Sequence, residues 1–248
     1  MRRAVALALA LCGAAGAARA GVAEPIYIVD APTAGLLGHG EYHIQGRVGP
    51  ESSILGALRL GFKQVVHLGV SFGVAGVFER GTPDLNERAG FEARLRLVAE
   101  GQAPAVAVGF SSQGAGRYQE SLGRYERKSK GFYAVASRNW RAFLGQVSLH
   151  GGINYSLERT DQESVDLFAA ADWGPFTGLA FVLEWDAALD DDESAAGYGS
   201  GRTYLDAAVR VTYGDNLTMM LVFRDLTGNF APDPRVWREF EVAYVSFF

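Results

Sequence analysis

Apolar and polar side chains alternate along most of this chain, and the alternation comes in short runs. In residues 143–156 one row reads Phe143, Gly145, Val147, Leu149, Gly151, Ile153, Tyr155, and the other Leu144, Gln146, Ser148, His150, Gly152, Asn154, Ser156. A period of two places the first row on one face of a β-strand and the second on the other. The apolar face ends in an aromatic at each side, and a strand this long reaches across a bilayer. Other runs repeat the pattern: Phe91, Ala93, Leu95, Leu97 and Ala99 oppose Glu92, Arg94, Arg96 and Glu100, and Leu205, Ala207, Val209, Val211 and Tyr213 oppose Asp206, Ala208, Arg210 and Thr212. Twelve strands are predicted, over 41–48, 53–62, 65–74, 91–100, 103–111, 131–137, 143–156, 164–173, 176–186, 202–213, 216–225 and 236–248. The run at 131–137 has the weakest pattern, because Phe132 and Tyr133 fall on opposite faces.

The connections separate two all-β architectures. Lys63-Gln64, Gly101-Gln102, Gly174-Pro175 and Gly214-Asp215 are short, and between them come long polar links over 75–90, 112–130, 157–163, 187–201 and 226–235. Regular alternation of short and long links is what a transmembrane barrel produces when one rim faces the periplasm and the other the outside. A β-sandwich has no reason to keep that rhythm. The link 49–52 is short on the long side and breaks it. The expected fold is therefore all-β: a closed antiparallel transmembrane β-barrel of about twelve strands over 41–248, preceded by a short N-terminal segment.

Residues 1–20 have the form of a removable export signal, with Arg2 and Arg3, an apolar run over 4–11 and the small-residue site Ala18-Arg19-Ala20. Cys12, the single cysteine, lies inside that run, where bulky Leu11 before it argues against lipoprotein processing. Cleavage leaves no disulfide framework. It also takes the basic count from 23 to 20 against 28 acidic residues, so the net charge moves from −5 to −8. That balance disfavours nucleic acid as a partner. No stretch of eighteen apolar residues follows, which leaves no transmembrane helix and puts the outer membrane forward as the location. Residues 21–40 are apolar and punctuated by Gly and Pro without alternation, and read equally as a periplasmic lead-in or as a plug. The tail Phe240, Val242, Tyr244, Ser246, Phe248 has the form of an assembly signal carried by Phe248 and Tyr244, which makes the barrel assembly machinery an expected partner beside outer-membrane lipid and lipopolysaccharide.

Pro32-Thr33-Ala34-Gly35-Leu36-Leu37, Phe110-Ser111-Ser112-Gln113-Gly114, the run from Tyr125 to Tyr133, and His150-Gly151-Gly152-Ile153-Asn154-Tyr155-Ser156, together with the Phe-terminated tail, resemble the small YjbH-like outer-membrane β-barrel proteins. The resemblance runs from about Asp30 to Phe248. It implies an outer-membrane barrel linked to exopolysaccharide or surface-glycan export, and carries over no catalytic residue.

Inward rows carry Glu92, Arg94, Arg96, Glu100, Asp166, Asp172, Glu184, Asp186, Asp206, Arg210, Arg224 and Arg238. Mixed signs in a barrel of this size point to an ion-paired, nearly closed lumen more than to an open charged pore. Ser148 and His150 share a face at a spacing that outer-membrane lipid hydrolases use, but they lie on the polar row and not towards lipid. The acidic run Asp190-Asp191-Asp192-Glu193 and the basic run from Arg124 to Lys130 read as solvated loops, with divalent cations and lipopolysaccharide phosphates as the functional alternatives. The leading function is a structural or narrow passive barrel with no enzymatic activity, no metal and no cofactor. The alternatives are an outer-membrane lipid hydrolase of the phospholipase or lipid A deacylase type, and a soluble exported β-sandwich that binds a ligand.

Overall fold

In a computed structural model, residues 24–78, 82–85, 88–142, 144–158, 164–191 and 198–248 are described. The expected export signal at 1–20, Phe143, Asp192 and Glu193 lie outside them. Fifteen strands follow in chain order: β1 (Glu41–Val48), β2 (Ile54–Phe62), β3 (Val66–Ala75), β4 (Asp84–Leu85), β5 (Gly90–Val98), β6 (Ala105–Ser111), β7 (Ala115–Gln119), β8 (Arg124–Arg127), β9 (Gly131–Ala142), β10 (Gly145–Tyr155), β11 (Asp166–Phe176), β12 (Leu179–Asp186), β13 (Tyr204–Tyr213), β14 (Leu217–Arg224) and β15 (Trp237–Phe247). Twelve of them form one antiparallel ring: β1, β2, β3, β5, β6, β9, β10, β11, β12, β13, β14 and β15. The ring closes where β1 pairs with β15, from Glu41 opposite Phe247 to Val48 opposite Phe240. Closure satisfies the ladder groups at what would otherwise be two sheet edges, which is the condition for a sheet to stand in lipid.

All twelve strands predicted from the alternation are present. The one at 131–137 is longer than expected and continues to Ala142. Its mixed aromatics serve both sides: Phe132 is exposed on the outer face, while Tyr133 is buried inside, where its hydroxyl accepts a 2.8 Å bond from Arg94 Nε. Gly109 makes room for that ring, since a Cβ there would stand 2.3 Å from the Tyr133 hydroxyl. The turn expected at Gly174-Pro175 lies three residues later, at Thr177-Gly178, with Gly178 at φ 81°. Gly174 and Pro175 sit instead where the β11–β12 register shifts between Trp173 and Phe176. Proline has no N–H for the ladder, and a bulge tolerates that loss.

The outer face is apolar. Ile44, Leu58, Leu68, Leu95, Leu149, Ile153, Leu183, Leu221 and Val242 are all outward and exposed, with Trp140, Trp173, Trp185 and Tyr213 among the aromatics beside them. Such a surface has lipid and not water as its proper solvent, and the aromatics match the girdles of outer-membrane barrels. The chain is thus a transmembrane β-barrel, and its place is the bacterial outer membrane.

Short turns between β2 and β3, β5 and β6, β9 and β10, β11 and β12, and β13 and β14 mark one rim, where Phe248 N–H also meets the Gly40 carbonyl. The remaining connections share the other rim, and the link after β1 is short there, built on a 3-10 turn at Pro50–Ser52. Short turns face the periplasm in barrels of this kind. An epitope inserted after Phe78 should therefore label on intact cells, and one at Asp215 only after the outer membrane is opened. Labelling in the reverse order would invert the topology.

Candidate functional site: the lumen and its inserted finger

The interior wall has two characters. On β6, β9, β11, β12, β13 and β14 it offers Ala105, Ala107, Val135, Phe168, Ala170, Val182, Ala208, Met220 and Val222, all buried. On β1, β2, β3 and β5 it offers His43, Gln45, Arg47, Arg59, His67 and Arg94, also buried. Residues 24–37 lie between these walls. The segment enters from the periplasmic rim and turns at Ile28–Ala31, where Ile28 N–H bonds the Ala31 carbonyl at 3.0 Å. It returns with Thr33 N–H on the Ile26 carbonyl at 3.1 Å. It is a finger, with Val29 and Asp30 at its tip.

Three independent contacts hold the finger. Its apolar side chains Ile28, Val29, Ala31 and Ala34 join the apolar wall in one core. Full burial of Ile28 and Val29 alone is worth roughly 3–6 kcal/mol as an upper figure. At the tip, Glu184 Oε2 accepts the consecutive amides of Val29, Asp30 and Ala31 at 2.9, 2.9 and 2.8 Å. The Asp30 carboxylate in turn accepts both Arg224 (2.5 and 3.0 Å) and Arg47 (2.8 Å). At the base, Arg94 donates to the carbonyls of Ile26 and Gly35 at 2.6 and 3.0 Å, and Arg96 donates to Ala34 O at 3.0 Å and pairs with Glu24.

A second insertion comes from the 112–130 connection. It folds into the barrel mouth as the β7–β8 hairpin, paired through Ala115–Arg127, Tyr118–Tyr125 and Gln119–Arg124. Arg127 then reaches Asp206 at 2.5 Å and Asp186 at 3.6 Å, and Lys130 pairs with Asp186. The basic run is therefore not a solvated loop. Its Arg124 pairs with Asp191 at 2.7 Å, and Lys128 donates to the Asp190 carbonyl, so the described parts of the two charged runs bind one another. Burial drives the Asp190 carboxyl up to about 6, and burial also lowers the Lys128 ammonium from its usual value. Both shifts show how far this latch is withdrawn from water.

The charges expected on inward rows divide as follows. Arg94, Asp166, Asp172, Glu184, Asp186, Asp206 and Arg224 are buried inside; Glu92, Arg96 and Arg210 are inside and partly accessible. Glu92 bonds Arg59 and His67 at 2.7 Å each, and Arg210 pairs with Asp172 at 3.3 Å. Glu100 stands at the β5–β6 turn, bound to the Asn139 amide at 2.9 Å. Arg238 corrects the expectation: it is exposed on the same outward row as Phe240 and Val242, while its neighbours Glu239 and Glu241 point inward. Sequence reasoning missed these two, together with Arg47, Arg59 and Asp30. The polar phase of β1, with His43, Gln45 and Arg47 at alternate positions, was the available signal.

One carboxylate oxygen from each of Asp30, Glu184 and Asp206 lies within 4.8 Å of the others. This donor set does not fit a cation, because Arg224 reaches Asp30 and Asp206, and Arg127 reaches Asp206 and Glu184. Ser148 and His150 do not bond each other. Ser148 Oγ lies 3.4 Å from Asp172, and His150 bridges Ser137 Oγ at 2.8 Å and Asp172 at 3.3 Å. The Ser137 hydroxyl also accepts the Ala34 amide of the finger at 2.8 Å. This chain of groups faces the lumen and anchors the finger.

Two vestibules remain. The outer one, of about 500 Å3, opens between 49–55, 113–117 and 225–239; the inner one, of about 650 Å3, opens at the periplasmic rim around Asn139, Ser148, Asp172 and Arg210. A smaller cavity of about 60 Å3 lies beside the finger tip, against Gln45, Arg59 and Glu92, and shares Arg47, Leu55, Gln113 and Arg127 with the outer vestibule.

No family model and no curated protein matches the chain. Among solved structures, the KdgM porin overlays with a TM-score of 0.51 at 11% identity, over 84% of this chain and 99% of that one. The NanC porin overlays at 0.46 with 11% identity over 84% and 99%, and an outer membrane channel from Pseudomonas putida F1 at 0.46 with 12% identity over 91% and 99%. The KdgM overlay carries the fold argument: a closed twelve-stranded outer-membrane β-barrel.

Proposed function

We propose that the chain is a narrow outer-membrane channel held closed by its own N-terminal finger, and that it passes small hydrophilic solutes when the finger moves. The observation that carries this reading is the pair of vestibules, each large enough for a small solute, separated by a finger that the barrel wall grips at its tip, face and base. A barrel with a merely structural role has no need of two open mouths. The porin-like fold supports the channel reading. The YjbH-like resemblance adds a link to surface-glycan export, with lipopolysaccharide around the barrel and Phe248 and Tyr244 as handles for the assembly machinery.

Catalysis is not part of the proposed function. The Ser137–His150–Asp172 chain has hydroxyl, imidazole and carboxylate in sequence, but the finger amide holds Ser137, and the lipid that a hydrolase would cut is on the other side of the wall. Planar-bilayer recording tests the proposal. The wild-type barrel should show small, infrequent steps, and Ser148→Ala should change neither these nor any lipid hydrolysis. Steady porin-like conductance in wild type would end the closed reading; phospholipid or lipid A cleavage lost in Ser148→Ala or Ser137→Ala would replace it with an enzyme.

A further inference from the structure

We infer that the outer vestibule is a binding site for uncharged saccharide rings, with Trp237 as its platform. Of the four tryptophans, Trp140, Trp173 and Trp185 stand on the lipid face, whereas Trp237 lines the vestibule on the inward phase of β15. Lipid anchoring explains the first three and does not explain the fourth. Trp237 meets Phe230 in a tilted edge contact, with centroids 4.6 Å apart and planes at 74°, and Phe230 stacks on Tyr198 at 5.6 Å and 7°. Buried Phe230 thus fixes the more accessible Trp237 at the wall of the cavity, while Tyr198 is stacked by Phe230 and covered by Arg124, whose guanidinium carbon stands 5.1 Å from its ring centroid.

The polar lining beside them selects the ligand class. Asp233 and Arg235 form a planar pair, with Nε and Nη2 at 2.7 and 2.8 Å from the two carboxylate oxygens, and Arg235 is 84% exposed. The pair offers donors and acceptors together, which is what a ring edge of hydroxyl groups needs. Across the cavity, five arginines stand against four carboxylates, so the lining is close to electrical balance. A strongly anionic or cationic solute would find little net attraction, whereas a pyranose presents an apolar C–H face to an aromatic ring and hydroxyl groups to the planar pair. The volume of about 500 Å3 accommodates a short oligosaccharide and lies within the roughly 300–1,000 Å3 of small-ligand sites. The inference deepens the channel reading by naming a solute class at its entrance, and binding is measured apart from conduction.

The test is calorimetric titration of the full chain, folded in detergent, with maltotriose, cellotriose and chitotriose, and with trigalacturonate as the acidic counterpart. At least one neutral trisaccharide should bind saturably, and Trp237→Ala should weaken it by about tenfold or more. Trp185→Ala should leave it unchanged, and trigalacturonate should bind more weakly. A gel comparing boiled and unboiled samples establishes that each variant is folded. Should that variant fail to fold, the wild-type fluorescence change on titration, compared with Trp237→Phe, locates the ligand instead. Absence of binding by all three neutral sugars, tighter binding of trigalacturonate, or unchanged affinity in folded Trp237→Ala would overturn the inference. Silence in the bilayer with intact sugar binding would count against the channel alone.

Discussion

Removing residues 24–37 should turn a nearly silent barrel into a conducting one, with single-channel conductance higher by about tenfold or more, because the finger and not the strand number closes this lumen. A twelve-stranded ring encloses less space than the large porins, and here the finger's apolar side chains take up much of what remains. Without it, the two vestibules join. The selectivity should favour cations: at the level of the tip, Arg47, Arg127, Lys130 and Arg224 would face Glu184, Asp186, Asp206, Glu239 and Glu241. Arg94→Ala with Arg96→Ala is the gentler form of the same experiment. Those two arginines hold the finger's base through the carbonyls of Ile26, Gly35 and Ala34. Their loss should raise conductance by less than deletion does and shift it towards cations. Asp30→Asn alone should do little to conductance, since the buried face of Ile28 and Val29 still anchors the tip. Planar-bilayer recording with a salt gradient reads both quantities. A folded deletion variant as silent as wild type would mean that the barrel is closed by the β7–β8 hairpin instead.

The second large effect belongs to the outer wall. Leu149→Arg should destabilise the barrel by roughly 2–4 kcal/mol in lipid vesicles, the cost of a charge near the bilayer midplane. Leu149 is 49% exposed, outward, and central in β10. Ser148→Arg, one residue away and inside, should cost much less, because the inner vestibule admits water and Asp172 lies beside the site. Leu95→Arg should repeat the Leu149 result three strands away round the ring, on β5. Reversible urea unfolding of the reconstituted protein measures all three. Equal penalties at 148 and 149 would defeat the register from which the lumen is read.

The strands of the ring and the unequal lengths of the links at its two rims were legible in the chain. A strand half in lipid and half in a polar lumen must alternate, because one side has no water and the other does, so period two was legible in every barrel strand. Rim asymmetry was legible for a similar reason: length and turn chemistry are local properties of a link. Where local evidence erred, the cause was also local. Gly174-Pro175 has turn composition but fills a bulge, and Arg238 has a lumen-type side chain on a lipid-side phase near the rim, where a charge still reaches water.

The interior was decided by tertiary structure alone. Alternation reports which side chains point inward and says nothing about their partners across the lumen. Asp30 meets Arg224 across 194 positions, and Glu184 meets the amides of Val29, Asp30 and Ala31 across more than 150. Residues 21–40 gave no sign of whether they lay inside or outside, because a finger inside a barrel has no period of its own. Its apolar residues match a wall that exists only once β6, β9 and β11 to β14 have closed around it. The charged runs at 124–130 and 190–193 looked solvated for the same reason: only the closed ring brings Arg124 to Asp191, Arg127 to Asp206 and Lys130 to Asp186.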